Sequence, residues 1–215
     1  MPTRRAIPYT EGIYFITFTC YKWLHLIEET QSYDQVYKWF DYLKSKGHTI
    51  AGYVIMPNHV HALIAFRRTD QSINTIVGNG KRFMAYEIVK RLEQHGMKER
   101  LSEMKNAVDE IDRLRRKKHE VWEDSFDWKE CTSNAFINQK LNYMHDNPCK
   151  GTWDLAVSPA DYPHSSARFY ICGEQASYPV INAGELEDID LTKNPEAYNS
   201  GESTPHTQSQ GETSA

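Results

Sequence analysis

The chain has 215 residues, of which 40% are hydrophobic, and its formal net charge is −4 at pH 7. This length fits one domain, and no run approaches the roughly 20 apolar residues that a membrane span needs. The N-terminus has no apolar stretch typical of a signal peptide, and the four cysteines show no metal-ligand or redox spacing. We therefore expect a cytoplasmic protein that has no membrane partner.

The charge is distributed unevenly along the chain. Residues 171–215 carry eight acidic side chains and one lysine, whereas residues 81–118 carry twelve basic and seven acidic side chains. A basic body with an acidic tail is compatible with a phosphate-backbone partner, although charge runs are more often solvated surface. The candidate phosphate-binding residues are Arg4, Arg5, Lys81, Arg82, Arg115, Arg116, Lys117 and Lys118.

The first half of the chain predicts a strand, a helix and a hairpin. Residues 11–20 are rich in β-branched and aromatic side chains, which is typical of a strand. Residues 29–46 place apolar side chains at helical spacing. Residues 49–56 and 59–66 are predicted strands on either side of a Pro-Asn turn.

The rest of the chain predicts two helices, a charged segment that is a helix or a mobile insert, and another extended segment. Residues 71–97 have a helical pattern, and the charged residues 98–119 are expected to form an exposed helix or a mobile insert. Residues 120–130 are expected to be extended, and a helix over 132–146 ends before Pro148. This order of elements predicts an α+β fold, with a mostly antiparallel sheet and helices packed on one face, of the ferredoxin-like or RNA-recognition-like type.

Two histidines alternate along one predicted strand. His59 and His61 lie two residues apart, so their side chains point to the same face, while the apolar residues that alternate with them point toward the helices. Two imidazoles on an exposed sheet face can chelate one divalent metal. They leave coordination positions open for substrate oxygens, as a catalytic metal requires. The bare H-x-H pattern is a weak motif by itself.

A tyrosine lies outside the apolar stripe of the predicted helix 132–146. The core stripe starts at Ile137 and continues at the fourth and seventh residues after it, so the core does not need Tyr143. A tyrosine hydroxyl, with a pKa of about 10, becomes a competent nucleophile if a metal polarises the phosphate or a base takes its proton. Asn147, four residues on, lies on about the same side and is a candidate third ligand. The alternative is a surface tyrosine that only packs or binds.

Four strings occur in a specific order: MPNHVHALIAF, VWEDSFDWKE, KLNYMHDNPCKGTW and DYPHSSARFY. In combination they resemble the single-tyrosine HUH transposases, and most closely the REP-associated tyrosine transposases. The resemblance covers roughly residues 8–170. Its most specific parts are the M-P-N-H-V-H string and the Y-x-H-x-N-P string followed by Y-P-x-S-S.

The resemblance implies a role for each of the residues singled out above. His59 and His61 would be paired ligands of magnesium or manganese, and Asn147 matches the position of the family's third ligand. Tyr143 would attack a DNA phosphate, form a 5′-phosphotyrosine link and leave a free 3′ hydroxyl. The implied partner is single-stranded DNA with hairpins formed by repeated extragenic palindromes, and the implied enzyme is a monomer or a homodimer.

The resemblance also divides the chain. Residues 1–170 would form the catalytic domain, in which 98–119 is a charged insert. Residues 171–194 would be an acidic extension. Residues 195–215 have little to bury and are expected to be a disordered tail.

Several interpretations stay open at this point. Tyr21 and Trp23 are candidates for stacking on unpaired bases, whereas Trp122 is expected in the core. The main alternative function is a domesticated protein that binds DNA hairpins without cutting them. A replication-initiator or relaxase-type HUH nuclease and a metal-dependent hydrolase of a small phosphoester are further alternatives.

Overall fold

The computed structural model describes residues 6–193, and these form a four-stranded antiparallel sheet. The strands are β1 (Gly12–Thr19), β2 (Thr49–Ile55), β3 (His59–Phe66) and β4 (Asp127–Glu130). Their order is β2-β3-β1-β4, and every neighbouring pair is antiparallel. This order, with helices between β1 and β2 and between β3 and β4, is that of a ferredoxin-like sheet. The predicted α+β class and antiparallel sheet are therefore confirmed.

Seven α-helices lie within the described residues. They are α1 (Leu26–Glu29), α2 (Tyr33–Ser45), α3 (Ile73–Gln94), α4 (Lys98–Asn106), α5 (Glu110–Leu114), α6 (Asn134–Asp146) and α7 (Ala167–Cys172). The helix predicted over 29–46 begins later than expected, because the backbone turns left-handed at Gln31 with φ 51° and separates α1 from α2. The side chain of Ser133 caps α6 by accepting a hydrogen bond from the backbone N–H of Phe136.

Both faces of the sheet are covered. Side chains alternate along each strand, and one set packs against α2 and α3. The other set packs against α6 and against segments that follow it in the chain. The expectation that helices pack on one face therefore holds for α2 and α3 but not for α6. Leu63 and Ala65, on the same face of β3 as the histidines, belong to this second layer, so β3 is buried on both faces.

Two glycines let helices approach their neighbours closely. A Cβ built on Gly52 of β2 would lie 2.6 Å from Leu141 of α6, and one built on Gly80 of α3 would lie 2.4 Å from the Trp39 indole of α2. Both are shorter than any ordinary carbon contact. The absence of a side chain at these two positions therefore sets how near α6 lies to the sheet and α3 to α2.

The charged insert and the acidic extension both pack on the body. Within 98–119, the Met104 side chain is fully buried, and the Arg100 guanidinium forms an ion pair with Glu29 at 2.7 Å. In the extension, Tyr178 and Leu186 are buried. The predictions for the tail 195–215 fall outside the described residues. Within 6–193, no helix combines the length and the apolar character that crossing a membrane requires.

Candidate active site

The histidine pair lies on the face of β3 that α6 covers. His59 pairs with Thr19 and His61 with Thr17 across the β1–β3 ladder, and the two imidazole ring centres are 4.8 Å apart. Both side chains are buried, which corrects the expectation of an exposed sheet face. The second layer, which includes α6, encloses this part of the sheet.

The Nδ1 atom of each imidazole has a polar partner. Asn58 donates its Nδ2–H to the Trp23 carbonyl at 2.8 Å, so its Oδ1 accepts from His59 Nδ1–H at 2.7 Å. Thr17 Oγ1 lies 2.6 Å from His61 Nδ1. An Nδ1–H engaged in this way leaves the lone pair of His59 on Nε2, the atom that can bind a cation. The Thr17 hydroxyl can fix the same tautomer in His61.

Burial keeps the two imidazoles neutral. It lowers the pKa of His59 to about 4. Burial also lowers the pKa of His61 well below its ordinary value, and the neighbouring His59 and the Lys140 ammonium act in the same direction. A neutral imidazole is the form that binds metals, so both side chains are in the ligating state at pH 7.

The aromatic ring of Tyr143 lies beside the histidine pair. Its centre is 5.5 Å from that of His61 and 6.1 Å from that of Phe15. The side chain is 53% exposed, so solvent and a substrate can reach it. The Lys140 ammonium, one turn earlier on α6, lies 5.7 Å from the centre of the ring. The structure thus brings together the strand imidazoles and the helix phenol, which are about 80 residues apart in the sequence.

Asn147 follows one turn after Tyr143. Helix α6 ends at Asp146 as expected, yet Asn147 keeps helical angles of φ −55° and ψ −45° although a proline follows it. Its half-buried side chain therefore leaves the helix on about the same side as Tyr143. Within residues 6–193, no group of three or more His, Cys, Asp or Glu side chains could hold a metal. Among the His, Cys, Asp and Glu side chains of these described residues, the two imidazoles therefore have no third companion that could complete a cation site.

A hydrogen bond that the sequence analysis missed connects the two most specific late strings. His145 Nε2 lies 2.8 Å from Ser166 Oγ. The Ser166 hydroxyl donates to the Tyr53 carbonyl at 3.2 Å, so it must accept from the Nε2–H of a neutral His145. Burial lowers the pKa of His145 to about 4, in agreement with a neutral ring. His145 and Ser166 therefore position α6, and with it Tyr143, against β2.

Most of the predicted phosphate-binding residues line one cleft. The cleft lies between α3 and residues 115–125 and has a volume of about 700 Å³. Of the candidates it contains Lys81, Arg82, Arg115, Arg116, Lys117 and Lys118. Two of these are engaged by the protein itself. Lys81 is buried and its ammonium donates to the carbonyls of Glu123 and Ser125. Lys117 forms ion pairs with Asp112 at 2.9 Å and Glu120 at 2.6 Å.

This arrangement corrects part of the predicted interface. The Lys81 ammonium anchors the 123–125 segment and is not offered to a phosphate. Arg82, Arg115, Arg116 and Lys118 are exposed and line the cleft. Arg4 and Arg5 fall outside the described residues. Charge along the sequence located the basic segment, but only the fold distinguishes anchoring lysines from exposed ones.

The aromatic candidates for base stacking also differ in how exposed they are. Trp122 is buried and donates its indole N–H to the Lys81 carbonyl at 2.8 Å, as expected for a core residue. Tyr21 is partly buried. Trp23 is 60% exposed, and its ring centre lies 5.7 Å from that of His59. Of the three, Trp23 combines high exposure with a ring contact to the histidine pair.

The fold and these side chains define the class: an α+β protein with a ferredoxin-like sheet whose second face carries a histidine pair beside a tyrosine. Among solved structures, the chain is similar to a REP-associated tyrosine transposase bound to a REP hairpin. The TM-score is 0.51 and the identity 17%, over 90% of this chain and 98% of that one. This likeness shows that the two share a fold.

A second solved structure, a protein of Deinococcus radiodurans R1 described as a transposase, is less similar. The TM-score is 0.34 and the identity 12%, over 68% of this chain and 97% of that one. A likeness of this size does not establish a shared fold. Comparisons of the sequence with protein-family profiles and with curated proteins find no match.

Proposed function

We propose that the protein is a metal-dependent single-stranded DNA endonuclease and strand transferase, a transposase of the HUH tyrosine type. The observation that carries the proposal is the meeting of an accessible phenol with two buried neutral imidazoles: the ring centre of Tyr143 lies 5.5 Å from that of His61, which lies 4.8 Å from that of His59. The fold shared with a REP-associated tyrosine transposase supports the same conclusion.

Two imidazoles and one amide would hold the metal in this proposal. His59 and His61 offer neutral nitrogens whose orientation is fixed by Asn58 and Thr17, and Asn147 offers an amide oxygen. When bound, magnesium or manganese would neutralise charge on the scissile phosphate and on the leaving oxygen. Few protein donors leave positions open for those substrate oxygens.

Tyr143 would be the nucleophile. Its phenolic oxygen forms a bond to the phosphorus while the bond from phosphorus to the 3′ oxygen breaks. The phenol releases its proton, and the leaving oxygen takes up a proton and becomes a free 3′ hydroxyl. Because the phosphotyrosine ester keeps the energy of the broken bond, a second 3′ hydroxyl can reverse the step and join a new strand. A water nucleophile would lose this option, so a tyrosine favours strand transfer over degradation.

The substrate that we propose is single-stranded DNA containing hairpins of palindromic repeats, since the similar solved structure was obtained with a REP hairpin. The exposed basic residues Arg82, Arg115, Arg116 and Lys118 would contact the phosphate backbone. Arg4 and Arg5 are proposed for the same role from the sequence. Tyr143 lies beside the histidine pair of its own chain, so we expect a monomer to be sufficient for cleavage.

The decisive experiment traps the covalent intermediate. Purified protein is incubated with Mn²⁺ and a pool of DNA hairpins that carry a label at the 3′ end and randomised flanking bases, and adducts are separated under denaturing conditions. We expect an adduct with the wild type and with Tyr42→Phe, a control at a partly exposed tyrosine on α2. No adduct should form with Tyr143→Phe.

Two other outcomes would contradict this function. Tight binding of hairpins by the wild type without any adduct would identify a DNA-binding protein that does not cut. Saturable turnover of a small phosphoester that does not depend on Tyr143 would identify a hydrolase.

A further inference from the structure

An exposed indole stands at the edge of the histidine pair. The Trp23 side chain is 60% exposed, although tryptophan is usually well buried. Its ring contacts His59 edge-on, with centres 5.7 Å apart. Within the described residues, every other tryptophan is buried or partly buried. The exposed face of this ring is therefore available to a ligand that approaches the site.

The backbone that holds this ring is strained. Lys22 and Trp23 are consecutive residues with φ of 49° and 60°. This is a left-handed backbone conformation that residues other than glycine rarely adopt. A strained backbone persists where the surrounding structure holds it in place, and such positions cluster at binding sites.

Four hydrogen bonds hold the strained segment in place. The Trp23 N–H donates to the Cys20 carbonyl at 3.0 Å, and the Trp23 carbonyl accepts from Asn58 Nδ2 at 2.8 Å. Lys22 N–H donates to Glu123 Oε1 at 2.8 Å, and Tyr21 N–H donates to the Val121 carbonyl at 2.9 Å. The exposed indole is thus preorganised, because its loop is fixed before any ligand arrives.

The surroundings select the ligand. Trp153 lies on the same imidazole, with its ring centre 6.0 Å from that of His59, and His25 lies 5.4 Å from Trp153. A cluster of aromatic rings of this kind suits a flat apolar ligand group. An unpaired nucleobase is such a group, and every base has a face that can stack on an indole.

The neighbouring charge supports a nucleic acid as the ligand. Glu123, which fixes the Lys22 N–H, also lines the basic cleft between α3 and residues 115–125. The loop that carries the indole is therefore connected through Glu123 to the wall of that cleft. Exposed basic residues and an exposed indole on connected segments suit a single strand, which offers both phosphates and unpaired bases.

We infer that Trp23 stacks on one unpaired base next to the scissile phosphate and so determines which phosphate reaches Tyr143. This inference rests on the proposed function for the location of the scissile phosphate. Trp23 acts as a substrate-positioning residue through its ring face.

An abasic-site scan tests the inference. A fluorescent hairpin with a single-stranded flank is made in versions that each lack one base of the flank. Its binding to a Tyr143→Phe protein is measured by anisotropy without metal, so that cleavage cannot interfere. Stacking on a protein ring predicts that one abasic position weakens binding by roughly tenfold.

The expected result is specific to the pair of base and indole. Added to Tyr143→Phe, Trp23→Ala should weaken binding of the intact flank by a similar factor and abolish the penalty at that one position. Trp23→Phe should restore much of both effects. Tyr42→Ala, the removal of another surface aromatic ring, should leave the scan unchanged. Circular dichroism melts check that each variant is folded.

Failure of the inference is distinguishable from failure of the proposed function. An adduct with wild-type protein, together with an abasic scan that Trp23→Ala does not alter, would overturn the role of Trp23 and leave the nuclease standing. A base-specific penalty that depends on Trp23, without any adduct, would support base stacking in a protein that only binds. Absence of DNA binding by the wild type would overturn both.

Discussion

Asn58 connects the histidine pair to the loop that carries Trp23. Its amide is buried, accepts from His59 Nδ1–H at 2.7 Å and donates to the Trp23 carbonyl at 2.8 Å. We expect Asn58→Ala to remove both hydrogen bonds and the constraint on the His59 tautomer. The ring is then free to present a protonated Nε2, which cannot bind a cation.

The size of the expected loss of stability follows from these two hydrogen bonds. Each hydrogen bond contributes about 0.5–1.5 kcal/mol to folding, so Asn58→Ala should lower the free energy of unfolding by about 1–3 kcal/mol. Loss of the group that orients a metal-binding imidazole typically weakens metal affinity roughly 10- to 100-fold. The protein should therefore stay folded while its affinity for Mn²⁺ falls by one to two orders of magnitude.

Calorimetric titration with Mn²⁺, combined with thermal denaturation, measures both effects. The matched control is Tyr170→Phe, which removes a hydroxyl that donates to the Ala51 carbonyl at 2.6 Å and accepts from Ala183 N–H at 3.0 Å. It should be destabilised similarly without a change in Mn²⁺ affinity. Unchanged affinity in a folded Asn58→Ala protein, or an equal loss in the control, would refute the reasoning.

Three further predictions concern acid stability, helix packing and DNA affinity. Burial lowers the pKa of His48 to about 4, so the unfolded chain binds its proton first as pH falls. When the pH falls from 7 to 5, the free energy of unfolding of the wild type should decrease because of this group. In denaturant melts, His48→Gln should decrease by about 2 kcal/mol less than the wild type over the same range. Gly78→Ala, with open space around it, should stabilise by about 0.5–1 kcal/mol, whereas Gly80→Ala should destabilise by about 1–3 kcal/mol in the same melts. The double variant Arg115→Ala, Arg116→Ala should reduce the slope of log affinity for DNA against log salt concentration by roughly one unit per lost phosphate contact. An unchanged slope would show that the DNA backbone does not contact these two arginines.

The local elements could be read from the sequence because side-chain periodicity is a local property. Alternation along 59–66 placed His59 and His61 on one face, and the apolar spacing in 132–146 placed Tyr143 outside the core stripe. The structure has both features. The break between α1 and α2 was missed, since a single left-handed residue leaves little trace in a pattern of apolar spacing.

The sequence by itself determined the strands, the main helices and the pairing of chemistry on single elements. Only the tertiary structure decided which face of the sheet α6 covers, and with it the burial that keeps the imidazoles neutral. It also decided that Thr17, 44 residues from His61, is the partner of that imidazole. Likewise, it made Lys81 an anchor for a segment 42 residues away. These outcomes depend on contacts between residues distant along the chain, and local periodicity carries no information about such contacts.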